Sequence, residues 1–112
     1  MEGISIPDSS LIGNEAFSKM GSYAPQILLL DITNGNLDDS VLYSMSKNMI
    51  NLMTLKLKLC YNITRIPVFP ELTHLSLNIC PGIDDDSLKD ISKKYPDLLN
   101  LYFLQSFYNS GL

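Results

Sequence analysis

Apolar residues along this chain recur with a period that changes twice in every unit of about 26 residues, clearest in residues 72–97. Leu72, Leu75, Leu77 and Cys80 carry the spacing L-x-x-L-x-L-x-x-C; Ile83, Leu88 and Ile91 follow at helical intervals, and Tyr95-Pro96 precedes the next leucine, Leu98. A period near two becomes one near 3.6, which predicts a short strand followed by a helix. A unit this small cannot bury its apolar side alone and needs copies of itself alongside.

The rest of the chain supplies such copies. Shifting the unit back by 71 positions sets Ile4 and Ile6 on Leu75 and Leu77, Ser9 on Cys80, Phe17 on Leu88 and Pro25 on Pro96, so residues 1–26 form a first unit with a helix near Asn14 to Tyr23. Residues 27–51 form the second: Ile27, Leu30 and Ile32 make its strand, Asn34 or Gly35 falls at the cysteine position, and a helix is expected from about Asp39 to Asn48. The third, 52–71, keeps Leu52, Leu55, Leu57, Cys60 and Ile63, but Pro67 and Pro70 stand where its helix would be. Proline removes a donor and fixes φ, so an extended or 3₁₀ segment is expected there. The fifth, 98–112, is partial, with Leu98, Leu101 and Phe103 and with Ser106 at the cysteine position.

The expected architecture is α/β: a single domain over 1–112 built as a solenoid of about five rungs, a curved horseshoe with a parallel sheet on its concave face and helices on its convex face. The leucines of each strand point inward and the residues between them face solvent. Three outward files follow: Leu29, Thr54, His74 and Asn100; Asp31, Lys56, Ser76 and Tyr102; Thr33, Lys58, Asn78 and Leu104. Asp31 and Lys56 are expected to neighbour each other and to pair. Tyr102 and Leu104 bring apolar surface to solvent at the C-terminal end, where aromatic anchors favour interfaces.

Composition narrows the function. Hydrophobic residues make up 46% and the net charge is −4, from eight Lys or Arg against twelve Asp or Glu. That balance suits a folded chain and offers no electrostatic footprint for nucleic acid or an anionic membrane surface. No apolar run approaches the roughly 18 residues of a membrane helix. The first residues lack a signal-peptide layout, which sets the expectation of a cytoplasmic or nuclear protein.

Candidate chemistry is sparse. Cys60 and Cys80 hold equivalent positions in successive units; a disulfide, a metal site and free buried thiols compete, and free structural thiols suit the small, buried position best. Asp38-Asp39 and Asp84-Asp85-Asp86 stand just before helices, where Asp caps free N–H groups, and lack the spacing of a calcium loop. His74, the single histidine, lies at an outward strand position. No catalytic constellation and no cofactor motif is present in the sequence. Asn62-Ile63-Thr64 is a glycosylation sequon, but Ile63 belongs to the core pattern.

The pattern L-x-x-L-x-L-x-x-C-x-x-I, an acidic helix start, Leu-x-x-Ile and Tyr-Pro-x-Leu resembles the cysteine-containing leucine-rich repeat of F-box leucine-rich-repeat proteins. Ser9, Gly35 and Ser106 depart from it at the cysteine. Residues 4–17 also resemble a surface-protein repeat of the I-x-I-P…I-G-x-x-A-F kind, a form later units do not keep. The first resemblance implies a protein-interaction scaffold, in its narrower form the substrate-recognition part of an SCF-type ubiquitin ligase adaptor. Its partner would lie on the concave face, against Asp31, Thr33, Lys56, Lys58, His74, Ser76, Asn78, Asn100, Tyr102 and Leu104. The alternative is a structural or accessory subunit, or a fragment, of a larger assembly. The chain starts at a unit boundary and stops within a unit, so further repeats or another subunit are expected at its C-terminal end. A cell-surface protein ranks third. None of these readings calls for a cofactor or a catalytic step.

Overall fold

The structure, a computed structural model, describes residues 3–104. Five strands, Gly3–Ile6 (β1), Leu29–Thr33 (β2), Thr54–Lys58 (β3), His74–Asn78 (β4) and Asn100–Leu104 (β5), form one sheet in sequence order. Every neighbouring pair is parallel. Three helices, Asn14–Tyr23 (α1), Asp39–Asn48 (α2) and Asp85–Lys94 (α3), cover one side. The ranges of α1 and α2 are those that the periodicity predicts.

The sheet register aligns leucine with leucine. Leu30, Leu55, Leu75 and Leu101 make one file, and Ile32, Leu57, Leu77 and Phe103 the next. Phe17, Leu42, Met45 and Ile91 from the helices join the same core. β2, β3 and β4 are each followed by a residue of positive φ: Asn34 at 55°, Leu59 at 56° and Ile79 at 54°. This left-handed step turns the chain out of the sheet, and each residue's N–H donates across to the next strand's carbonyl, at Lys58, Asn78 and Leu104 respectively. The following residue, Gly35, Cys60 or Cys80, is thereby turned inward and buried. Both cysteines are free. Cys60 Sγ lies 3.9 Å from the Ile32 carbonyl and Cys80 Sγ 3.5 Å from that of Leu57. Contact with the Cys80 sulfur, together with burial, pushes the Cys60 thiol far above its ordinary range.

The five-rung leucine-rich-repeat horseshoe is not what forms. A solenoid stacks each unit on the next through both of its layers. Here the sheet layer is continuous but the helix layer is broken: α1 packs on α2, while the Cα atoms of α3 stay more than 8 Å from those of either. β5 carries no helix among the described residues, and its inward residues Leu101 and Phe103 stay 44% and 36% exposed. The architecture is a small α/β domain with a five-stranded parallel sheet and three helices. Ser106 and the rest of the expected fifth unit beyond Leu104 lie outside the described residues.

Residues 64–69 explain the break. Without a helix, their backbone groups must be satisfied from outside, and both flanking helices do this. Asp39 of α2 accepts from the N–H groups of Thr64 (2.7 Å) and Arg65 (3.1 Å), and from the Thr64 hydroxyl. The Ser87 hydroxyl of α3 lies 2.7 Å from the Thr64 carbonyl, and Lys94 Nζ donates to that of Ile66 at 3.3 Å. Beyond α3, the buried Tyr95 phenol accepts from Phe69 N–H at 2.7 Å and donates to the Pro67 carbonyl. Ile66 and Phe69 turn into the core in place of a helix's apolar face.

Two of the aspartates are helix caps. Asp38 accepts from the Ser40 hydroxyl at 2.7 Å and Val41 N–H at 3.0 Å; Asp84 accepts from Ser87 N–H at 2.9 Å, and the Ser87 hydroxyl accepts in return from Asp84 N–H at 3.1 Å. These bonds favour the carboxylate form: the Ser40 hydroxyl and then Val41 N–H hold Asp38 below its ordinary 3.8, and the Ser87 N–H and hydroxyl do so for Asp84. A folded-state pKa below the unfolded one stabilises above the unfolded value, and that stability is lost as pH falls through the folded value. The Asp38→Asn/Asp84→Asn variant is therefore expected to show a flatter acid titration of helical circular dichroism than wild type below about pH 4. Superimposable titrations would remove the caps from this role.

Candidate functional site

The sheet side opposite the helices is open to solvent, and its register assembles the outward residues into three files. Leu29, Thr54, His74 and Asn100 are successive partners; so are Asp31, Lys56, Ser76 and Tyr102, and likewise Thr33, Lys58, Asn78 and Leu104. All ten residues expected to form a binding face thus lie on one surface. Gly3 and Ser5 of β1 extend the first two files.

Towards β4 and β5 this surface dips into a hollow of about 490 Å³, with Lys56, His74, Ser76, Asn100 and Tyr102 among its lining residues and Leu75 at its base. Lys56, His74, Asn100 and Tyr102 are exposed, whereas Ser76 is half-buried. A cation, an imidazole, an amide and a phenol therefore stand around one depression. His74 is oriented by its neighbour, Nδ1 lying 2.9 Å from the Thr73 hydroxyl. The expected Asp31–Lys56 pair is corrected: the two face each other in register, but no ion pair joins them among the described residues. Asp31 instead accepts from the Ser5 hydroxyl, at 3.5 Å. Lys56, at the rim of the hollow, has no ion-pair partner among the described residues. No group of three or more His, Cys, Asp or Glu side chains converges as a metal site among the described residues.

A second hollow, of about 700 Å³, lies on the helical side between α2 and α3. Tyr43, Lys47, Arg65, Pro67, Val68 and Lys94 line it. None of these residues carries a motif in the sequence. The readable signal was the pair Pro67 and Pro70: deleting one helix from a row leaves a gap between its neighbours.

Fold and surface together define a small α/β domain whose parallel sheet has one covered and one open side. In fold it is similar to a solved structure of leiomodin-1 actin-binding site 2, with a TM-score of 0.68 and 18% sequence identity over 99% of this chain and 73% of that one. This likeness replaces the expected classification as an F-box leucine-rich-repeat array. No family model and no curated protein matches the sequence. No helix among the described residues is long and apolar enough to cross a membrane.

Proposed function

We propose that this domain is a protein-interaction module whose partner docks on the open sheet face, around the hollow edged by Lys56, His74 and Tyr102. The observation that carries the reading is the register, which gathers side chains from β3, β4 and β5 around that depression. Tyr102, half exposed at its edge, supplies the rigid aromatic anchor typical of binding hot spots. Lys56 adds a charge free to pair with a partner, and such complementarity sets specificity and on-rate. No catalytic step and no cofactor enters this reading, and the cytoplasm or nucleus is its setting.

The test is affinity capture with mass spectrometry, using wild type beside a Lys56→Glu/Tyr102→Ala double variant. Wild type is expected to recover partners that the variant loses. Recovery of the same partners in the same amounts by both would reject the sheet face.

A second reading, actin binding, is favoured by the likeness in fold to an actin-binding site. Co-sedimentation with filamentous actin, and competition with labelled monomer, separates it from the general case. Substrate presentation to a ubiquitin ligase is a narrower form that rests on the sequence pattern alone; recovery of ligase subunits among crosslinked partners is its signature. A fixed subunit of a larger assembly is the remaining form, and a monodisperse monomer with a high melting temperature argues against it.

A further inference from the structure

The slot between α2 and α3 lies where the third unit has no helix. Packed helices lie about 8–10 Å apart, and α1 and α2 meet directly. Between α2 and α3 the chain runs through the helix-free segment 64–69, and no Cα atom of one helix comes within 8 Å of a Cα atom of the other. The space left open on the helical side measures about 700 Å³.

Its lining is selective. Tyr43 and Val68, 54% and 51% exposed, offer apolar surface beside Pro67. Lys47, Arg65 and Lys94 stand around it, three of the chain's eight Lys and Arg residues, although the net charge is −4. The one carboxylate in the lining, Asp39, has both oxygens engaged by Thr64 and Arg65. Lys94 pairs with Asp90 at 2.9 Å, and Arg65 lies 3.8 Å from Asp84 while its Nη1 donates to the Ser87 hydroxyl. Lys47 has no carboxylate partner among the described residues; its ammonium sits 4.7 Å over the Tyr43 ring.

We infer that this slot receives an amphipathic helix of a partner protein, with an apolar stripe on Tyr43, Pro67 and Val68 and acidic flanks towards Lys47, Arg65 and Lys94. The backbone at the floor favours a helix over an extended peptide. An added strand needs free N–H and C=O groups. Here the N–H groups of Thr64, Arg65 and Phe69 and the carbonyls of Thr64, Ile66 and Pro67 are already engaged. A helix satisfies its own backbone and brings only side chains.

The experiment uses the full chain and three synthetic peptides of about four helical turns. The first has leucines at i, i+3, i+4 and i+7 flanked by glutamate, the second replaces glutamate by lysine, and the third breaks the acidic helix with proline. Fluorescence polarisation is expected to rank the acidic helix about tenfold or more tighter than either control. Amide NMR shifts are expected at Tyr43, Lys47 and Val68. Lys47→Glu with Val68→Lys is expected to weaken binding about tenfold, with unchanged circular dichroism, while Lys56→Glu on the sheet face leaves it intact. No binding, equal binding of the lysine or proline peptides, or shifts confined to the sheet face would overturn the inference. So would sedimentation showing a dimer that Lys47→Glu abolishes, because the occupant would then be a second copy.

Discussion

Leu55→Ala is expected to cost about 2–5 kcal/mol, whereas Leu101→Ala, in the same file two strands away, costs about 1 kcal/mol. The substitution is the same and the register equivalent; only the surroundings differ. Leu55 is fully buried, with Leu30 and Leu75 on either side in the sheet, so its truncation loses transfer energy and leaves a cavity. Leu101 is 44% exposed on the last strand, where less apolar area is lost and solvent can fill the gap. A domain of this size has a net stability of only about 5–15 kcal/mol, so Leu55→Ala removes a large share of it. Urea unfolding of both variants checks the contrast through their midpoints at equal slope. Equal losses would mean that the outer side of β5 is covered in solution.

Tyr95→Phe is expected to destabilise by about 1–3 kcal/mol, from the loss of one oxygen atom. That oxygen accepts from Phe69 N–H and donates to the Pro67 carbonyl, and all three residues are buried. Removing it leaves a buried donor and a buried acceptor unpaired in a segment with no helix to satisfy them internally. Burial already marks the phenol, pushing its pKa up to about 12. Denaturant unfolding gives the magnitude. Hydrogen exchange at Phe69 gives the mechanism, since its amide should become the fastest-exchanging buried amide of the segment. Unchanged protection there would show that the phenol is not what holds residues 64–69.

Much of the local structure is readable from residue types. Leu30, Leu55 and Leu75 announce the inward file through their spacing, and Thr54, Lys56, His74 and Ser76 the outward ones, because side chains alternate across a strand. Asp38 and Asp84 announce helix starts, and Pro67 and Pro70 announce the missing helix. These effects act within a few residues along the chain. Other features depend on residues distant in sequence. Asp39 looks like a second cap but belongs to Thr64 and Arg65, 25 and 26 positions away. Asn36 and Asn62 bond the Ser10 and Asn36 carbonyls of the preceding units, a ladder with no local signal. Tyr95 reads only as the residue before Pro96, yet its phenol supports another unit altogether.

The amino-acid order by itself determined which residues form strands and helices, which of them turn inward, and that the third unit has no helix, since steric preference and hydrophobic period are local properties. Only the tertiary structure decided that the helix layer is interrupted between α2 and α3, that β5 remains half uncovered, and that Lys47, Arg65 and Lys94 meet at one slot. Those outcomes depend on distances between units, which packing sets and no single unit encodes.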